Sequence, residues 1–370
     1  MRMTPILSTL RPCQKSIFGS RKIGSVLCET RFAEDGSLDT STPREATQVL
    51  LKRLQNQLGL HIKSSFELEF VIRDSKTQKY LGHGSQWASL AALEKNQAVL
   101  MGLMDEMKDI GIKIDTLLTE RGQGQFEFTF DLTDGIEAAD MVAEFRTAAY
   151  LYLKEKGCDG NFMACDDVKE GIHNGYHFNF SLWNKNGDNV FVDPDNPNEL
   201  SQFGRHWLAG LVEHAPAMTA LCSPTVNCYR RISTKYAPNF ANWALEYRRT
   251  TFRLKIDPGK NVYIENRIPS SACNPHLVMA CTVAAGMDGV RRKLTLPEQM
   301  DKTKRLPESL EEALDALEAD TLLNEILGPK MVKLFLHTKR SYELEHFKSL
   351  GDIPDEQMLV KEKEYYQESL

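Results

Sequence analysis

The chain has 370 residues, of which 42% are hydrophobic and 26% charged, enough to bury a large core. Its net charge of -6 excludes the basic surface that a nucleic-acid-binding protein needs, and the sequence has no run of about 18 apolar residues that would cross a membrane. Eight cysteines are scattered without the paired spacing of a zinc site, and no secretory leader is recognisable. We therefore expect a cytoplasmic protein with reduced thiols.

The first part of the chain predicts a small β-rich unit. Strands are expected at residues 6–10 and 24–30, followed by a turn at residues 34–37. Apolar residues then recur at helical spacing over residues 46–58. We place a domain boundary before this helix, so that residues 1–43 form one unit and residues 44–370 form the main domain.

Long amphipathic helices alternate with short strands in the main domain. The helices are predicted over residues 87–110, 138–156, 200–221, 275–293, 309–327 and 330–347. Ser309 followed by Glu312 predicts a capping box at the start of one helix, and Gly328 before Pro329 predicts a stop. Trp87 and Trp207 fall within these helical patterns and are expected in the core.

Five segments show the alternation of a β-strand with one apolar face. In chain order they read SFELEF, QFEFTF, GYHFNFSLW, TFRLKI and VYIENRI. Their opposite faces carry Glu67 and Glu69, Glu127, His177, Asn179 and Ser181, Arg253 and Lys255, and Tyr263, Glu265 and Arg267. One such segment alone is most simply a half-solvated strand. Five together predict one surface on which carboxylates, an imidazole and arginines meet.

Closely spaced carboxylates on this surface predict bound divalent cations, because without them the carboxylates would repel and raise one another's pKa. Oxygen-rich ligation with a single imidazole suits Mg²⁺ or Mn²⁺ better than Zn²⁺. Arginines on the same face suit phosphate and carboxylate groups. Since the chain has no glycine-rich phosphate-binding loop, the sheet itself is expected to bind a nucleotide and to favour phosphoryl transfer to an acidic acceptor.

The same segments resemble the glutamine synthetase family, class I, over nearly the whole chain. The resemblance extends through TERGQGQFEF, NGDNVF, NCYRR, APNFANW, VYIENRIPSSACNP and LPESLEEALDALEAD, and so many ordered motifs are far more specific than a lone fingerprint. It implies an α+β fold, in which a curved antiparallel half-barrel sheet is backed by long helices. It also implies that residues 1–43 are the last part of a truncated β-grasp domain, and that the protein forms a ring-type homo-oligomer, a dodecamer if that domain is complete.

The resemblance also assigns roles to individual residues. It implies that Glu69, Glu120 and Glu127 hold one cation, and that Glu67, His177 and Glu265 hold a second. Arg231 and Arg267 would bind the substrate carboxylate, Arg248 and Arg253 the transferred phosphate, and Ser181 would lie near the nucleotide. In the family, ATP and Mg²⁺ or Mn²⁺ serve to phosphorylate the side chain of glutamate, and ammonia then displaces the phosphate.

The chain departs from the family where ammonia would react. The family's Gly-Tyr-Glu-Ala-Pro loop supplies a glutamate that takes a proton from ammonium, but this chain reads Lys235-Tyr236-Ala237-Pro238. Loss of such a base costs about two to four orders of magnitude in rate. The Asn-Gly pair that contacts the substrate amino group is replaced by Ile172-His173. Further changed positions are Asn179, Tyr263 and Ala164-Cys165-Asp166.

These departures leave two functions open. Retained cation ligands with a lost base resemble the lengsin branch of the family, which implies a pseudoenzyme with a structural or chaperone-like role and intermediate-filament proteins as partners. We favour this hypothesis because each missing group acts at the transition state and the losses compound. The alternative is an active ATP-dependent ligase that joins glutamate to ammonia or another amine, which the six cation ligands and four arginines support. Neither hypothesis involves a nucleic acid or a membrane.

Overall fold

A computed structural model describes residues 27–82, 87–232, 234, 237–257 and 261–366, and the backbone of a short strand, β1, at Met3–Ile6. Strand β1 pairs antiparallel with β2, Glu29–Phe32. Of the second predicted strand, residues 24–26 lie outside the described residues, 27–28 are not in a strand, and 29–30 are in β2. Residues 7–10 of the first predicted strand also lie outside the described residues. The predicted turn is confirmed at Gly36, whose φ of 70° suits glycine.

A nine-stranded sheet lies at the centre of the fold. Its main path runs β11 (Trp243–Leu245), β12 (Phe252–Asp257), β13 (Asn261–Asn266), β10 (Tyr176–Asn184), β3 (Leu60–Asp74), β5 (Gln125–Phe130) and β4 (Ile114–Thr119), while β6 (Thr133–Asp134) and β7 (Cys158–Asn161) also pair with β3. Among these described strands all pairs are antiparallel except β11 with β12, which is parallel. Strands β8 (Cys165–Asp167) and β9 (Ile172–His173) form a separate pair.

All five predicted strands lie in the central sheet, with their apolar faces in the core. Phe66, Phe70 and Phe178 are completely buried. The ring centroids of Phe66 and Phe178, on neighbouring strands, are 4.6 Å apart. Burial of one face against the helices turns the opposite, polar face of every strand to one side of the sheet.

Most of the helices pack with the sheet in one main hydrophobic core, while Phe347 and Tyr366, on the last two helices, form a small separate cluster with Met163. The helices of the described ranges follow in chain order. They are α1 (Pro43–Leu58), α2 (Leu90–Lys95), α3 (Gln97–Asp109), α4 (Glu137–Glu155), α5 (Gln202–Cys222), α6 (Cys228–Ile232), α7 (Pro275–Arg292), α8 (Leu310–Ala319), α9 (Thr321–Leu327), α10 (Pro329–Thr338), α11 (Glu345–Ser349) and α12 (Asp355–Tyr366), with a π-helix at Lys339–Leu344 between α10 and α11. The fold is therefore α+β, as predicted. None of the helices in the described ranges has both the length and the apolar content needed to cross a membrane.

Three predicted long helices are interrupted. The first breaks at Asn96, whose side chain donates to the carbonyl of Ala92, and a second breaks at Asp320, whose carboxylate accepts from the backbone of Leu323 and caps α9. Polar side chains that bond to nearby backbone offer an alternative to helix continuation. The third is interrupted by the π-helix. Ser309 caps α8 by accepting from Glu312, which confirms the predicted start.

Helices α5 and α7 approach so closely that their backbones touch at two glycines. A Cβ on Gly210 would lie 2.2 Å from the carbonyl oxygen of Ala285, and a Cβ on Gly289 would lie 2.3 Å from that of His206. Backbone atoms cannot move aside as a flexible side chain can. A side chain larger than glycine therefore forces these two helices apart.

We expect Gly289→Ala to lower the free energy of unfolding by about 1–3 kcal/mol, because overpacking outweighs the higher helix propensity of alanine. Urea denaturation measures this. Gly102→Ala is the comparison, since a Cβ there would lie 2.1 Å from the hydroxyl and 3.3 Å from the nearest ring carbon of the Tyr152 side chain, which can move aside, and within 3.9 Å of no backbone atom outside its own helix. Equal effects of the two substitutions would contradict the proposed backbone clash.

Candidate metal centre and adjoining cavity

The first acidic group lies where three strands meet. In the sheet register His177 is opposite Glu67, and Glu265 is opposite Asn179 on the next strand. The Nδ1 atom of His177 lies 3.1 Å from Glu67 Oε2 and 3.4 Å from Glu265 Oε1. One ligand atom from each of these three residues lies within 4.8 Å of the others. Asn179 Nδ2 donates to Glu67 Oε1 at 2.8 Å and holds that carboxylate in place.

The second acidic group lies beside the first, on β3 and its other neighbour. Glu69 is opposite Glu127 in the register, and Glu120 follows β4 directly. Ligand atoms of these three glutamates also lie within 4.8 Å of one another. Glu69 Oε2 accepts from the backbone N–H of Gly175 at 2.8 Å and from Gln125 Nε2 at 3.2 Å. The structure thus brings together, in the expected two groups, all six residues named from the sequence.

The electrostatics of these groups show concentrated negative charge. Burial and then repulsion by Glu69 raise the pKa of Glu127 to about 9. Burial and then Glu120 raise the pKa of Glu69 to about 7, and burial raises the pKa of Glu120. Burial and then Arg267 hold the pKa of His177 well below its usual value, so the ring is neutral, as metal ligation requires. Five carboxylates and one neutral imidazole form a donor set that fits two Mg²⁺ or Mn²⁺ ions.

Arginines surround the acidic groups. Glu265 accepts from Arg267 Nη1 and, at 3.3 Å, from Arg253 Nη1. Arg231 is buried and donates to the backbone carbonyls of Arg267 and Ile268 at 3.2 and 3.1 Å. The Nε atoms of Arg253 and Arg267 have no hydrogen-bond partner in the described structure. These guanidinium groups therefore keep donors for an anion.

A cavity of about 690 Å³ connects the acidic groups with the arginines. Its lining includes residues of both acidic groups and several arginines, one of which is the exposed Arg248. A neighbouring cavity of about 530 Å³ is lined by Ser181 and Tyr263, and it shares Glu67 and Lys255 with the first. Ser181 therefore lies apart from the arginines, in the second cavity, where its hydroxyl accepts from Trp183 Nε1 at 2.9 Å.

Two cavity residues were missed or misread from the sequence. The prediction that Trp87 lies in the core is wrong: its side chain is 55% exposed, precedes α2, lines the cavity and bonds to Glu120. The same prediction for Trp207, which is fully buried, is confirmed. Gln125 was overlooked, although its Nε2 joins Glu69 to the carbonyl of His173 at 2.9 Å. Because side chains alternate along β5, Gln125 lies on the same face as Glu127, and this spacing could have identified it as a cavity residue.

Two of the positions that depart from the family pattern, Ala237 and His173, line the larger cavity, while Asn179 and Tyr263 line the smaller one. Ala237 is at the wall of the larger cavity, whereas Lys235 and Tyr236 lie outside the described residues. His173 projects into the cavity, and burial followed by the charge of Arg231 lowers its pKa. The exposed carboxylate of Glu170 lines the same cavity. The cavity lining thus also contains an imidazole from β9 and a carboxylate from the turn between β8 and β9.

Comparison with known proteins gives the same family by sequence and by fold. A model of the glutamine synthetase catalytic domain matches residues 40–353. The glutamine synthetase of Methanococcus voltae is 28% identical over 361 residues, covering 92% of this chain and 79% of that protein. Lengsin of Canis lupus familiaris is 30% identical over 364 residues, covering 93% of this chain and 60% of lengsin.

Solved structures show the same similarity. A crystal structure of a novel glutamine synthase homologue has a TM-score of 0.81 and 26% identity, and the match covers 94% of this chain and 79% of that one. A GmaS/ADP complex has a TM-score of 0.80 and 28% identity, covering 90% and 80%. The mixed sheet backed by helices is thus an α+β domain of the glutamine synthetase catalytic type. The chain belongs to the glutamine synthetase family.

Proposed function

We propose that the chain binds two divalent cations, Mg²⁺ or Mn²⁺, and the phosphates of ATP on the polar face of its sheet, and acts as a lengsin-like pseudoenzyme that makes no glutamine at an ordinary enzymatic rate. The observation that carries the binding proposal is the pair of three-residue groups whose ligand atoms lie within 4.8 Å of one another. Bound cations would neutralise the carboxylates and the nucleotide phosphates.

The residues of the chain have separate roles in this proposal. Glu67, His177 and Glu265 hold one cation, and Glu69, Glu120 and Glu127 hold the other. Arg248 and Arg253 bind a phosphate, Arg231 and Arg267 bind a carboxylate, and Ser181 lies beside the nucleotide in the second cavity. The unpartnered Nε donors of Arg253 and Arg267 support these assignments, since buried donors require acceptors.

The proposed lack of ammonia ligation rests on the wall of the cavity. Ala237 is next to the position where the family pattern has a glutamate, and His173 stands where that pattern has glycine. A missing proton acceptor and an altered ligand pocket both weaken the transition state. For such a protein we propose a structural or chaperone-like role in the cytoplasm, self-association, and intermediate-filament proteins as partners.

A second function is an ATP-dependent ligase that joins glutamate to ammonia or another amine. The complete cation groups and the four arginines favour it. The neutral imidazole of His173 and the carboxylate of Glu170 also favour it, because either group is chemically able to accept a proton from an amine. The two functions share the proposed binding of cations and nucleotide and differ in turnover.

Turnover and binding assays on the purified protein test both parts of the proposal. Calorimetry with Mn²⁺ and ATP is expected to show two cations and one nucleotide per chain. Phosphate release with ATP, Mg²⁺, glutamate and ammonium or a panel of amines is expected to stay at background. Glutamine or glutamyl-amide formation at an ordinary enzymatic rate would establish the ligase instead. Absence of cation binding would overturn the proposed site.

A further inference from the structure

The last described helix, α12, is bonded to the element that carries Arg231. Glu362 on α12 is 1% exposed, and its carboxylate accepts from Arg230 Nε at 2.8 Å and from Arg230 Nη2 at 2.9 Å. Asp355, at the start of the same helix, accepts from Arg230 Nη1 at 2.7 Å. Arg230 precedes Arg231 on the five-residue helix α6. A bidentate, buried ion pair thus fixes α6 from the side away from the cavity.

The same carboxylate is also linked, through Asn227 and Cys165, to the strand of His173, which lines the cavity. Glu362 Oε2 accepts from Asn227 Nδ2 at 2.7 Å. The amide of Asn227 further bonds to both backbone groups of Cys165, at 2.8 Å to its N–H and at 3.1 Å to its carbonyl. Cys165 lies on β8 and pairs with His173 on β9. One buried side chain therefore connects the strand of His173 with the helix of Arg231.

The start of α6 is held by the same C-terminal region. The backbone N–H of Val226 donates to Glu343 Oε1 at 3.0 Å and to the hydroxyl of Tyr366 at 3.2 Å. Tyr366, the last described residue of α12, in turn donates to Glu343 on the π-helix. The short helix α6 has few residues with which to hold itself in place. These contacts therefore add to the packing of Cys228, Tyr229 and Ile232 in the core in holding α6.

We propose that Glu362 is a positioning residue for the cavity, which sets Arg231 through Arg230 and sets His173 through Asn227. Its effect on a bound carboxylate rests on the proposed function, in which Arg231 binds that group. The two cation groups stand on β3, β5, β10, β13 and the residue after β4, and among the described residues Glu362 bonds directly to none of these elements. Loosening Glu362 should therefore disturb carboxylate binding far more than cation binding, to which the strand of His173 is linked through Gln125 and Glu69.

Hydrogen exchange on the metal-free protein tests the positioning directly. Glu362→Gln removes the charge that pairs with Arg230, so we expect about ten-fold faster amide exchange in both residues 164–173 and residues 227–232. Exchange in β3 should not change. Glu364→Gln is the matched control, because Glu364 lies on the same helix, its side chain is 58% exposed, and among the described contacts it bonds only to Lys361 of that helix. Faster exchange confined to α12, or to one wall, would overturn the proposal.

Ligand binding provides the second readout. With Mn²⁺ and ADP present, Glu362→Gln is expected to weaken glutamate binding about ten-fold while changing Mn²⁺ affinity less than two-fold. Equal losses of affinity for both ligands, or an unchanged affinity for glutamate, would contradict the proposed positioning role of Glu362. If the parent protein binds neither ligand, the proposed function fails, and the exchange pattern still decides whether Glu362 positions the walls. If Glu362→Gln does not fold, Asp355→Asn should speed exchange in residues 227–232 alone, and unchanged exchange there would overturn the proposal.

Discussion

Replacing Glu265 by glutamine is expected to weaken the binding of one Mn²⁺ ion by about 100-fold or more, since even groups that only support a metal ligand are worth about 10–100-fold. Glu265 is 1% exposed, and its oxygens face His177 on one side and two arginines on the other. Glutamine keeps the shape but removes the charge that an ion requires. Titration followed by the signal of free Mn²⁺ should show one tight ion per chain instead of two.

Glu246→Gln is the control for this substitution. Glu246 also accepts from Arg253, at 2.8 Å, but its side chain is 47% exposed and it belongs to neither acidic group. We expect the Glu246→Gln protein to keep both ions at unchanged affinity. Two tight ions in the Glu265→Gln protein, with circular dichroism showing the parent fold, would refute the assignment of Glu265.

The metal-free protein is expected to lose stability as the pH rises from about 5 to about 9. The pKa of Glu69 is raised to about 7 and that of Glu127 to about 9, chiefly by burial, from a usual value of 4.5. A raised pKa means that the folded state holds the proton more tightly than the unfolded state. The stability that protonation of these two carboxyl groups contributes is therefore fully present below their pKa in the unfolded state. It is lost as the pH rises through their two raised pKa values in the folded state. Bound Mn²⁺ should remove most of this loss.

Glu127→Gln isolates the largest contribution to that pH dependence. An amide cannot ionise, so we expect the metal-free variant to melt about 3 °C or more above the parent at pH 9, and near it at pH 5. Calorimetry over this pH range measures the difference. Glu94→Gln, an exposed change on α2, should follow the parent at every pH. A Glu127→Gln protein whose melting temperature falls with pH as steeply as the parent's would show that the carboxylates do not repel one another as inferred.

Much of the polar face was predictable because alternation along a strand determines which way a side chain points. The shared face of Glu67, Glu69 and Glu127 could be predicted from the two-residue alternation along a strand and from pairing between neighbouring strands. Arg231, on a short helix, and Arg248, between β11 and β12, belong to no such pattern. Their place in the cavity depends on tertiary contacts, and for them only the family resemblance gave an expectation.

Trp87 shows why a local pattern failed. The apolar spacing from residue 87 onward suited a helix, yet Ala88 has a φ of 53°, which a helix cannot contain. The backbone N–H of Ala88 donates to the carbonyl of Thr119, and that of Ser89 donates to the Thr119 hydroxyl. These contacts with a residue about thirty positions away hold Trp87 outside α2, beside Glu120. No rule of helical spacing contains that information.

The 15-residue strand β3 sets the distance between the two acidic groups, because it supplies Glu67 to one group and Glu69 to the other. Side chains two residues apart on a strand are separated by about 6.8 Å, so a single extended segment sets the spacing of the two sites. Inserting one residue between the two glutamates would turn one of them toward the phenylalanines of the core. A change that shifts one of the proposed cation sites along β3 would therefore also displace the other.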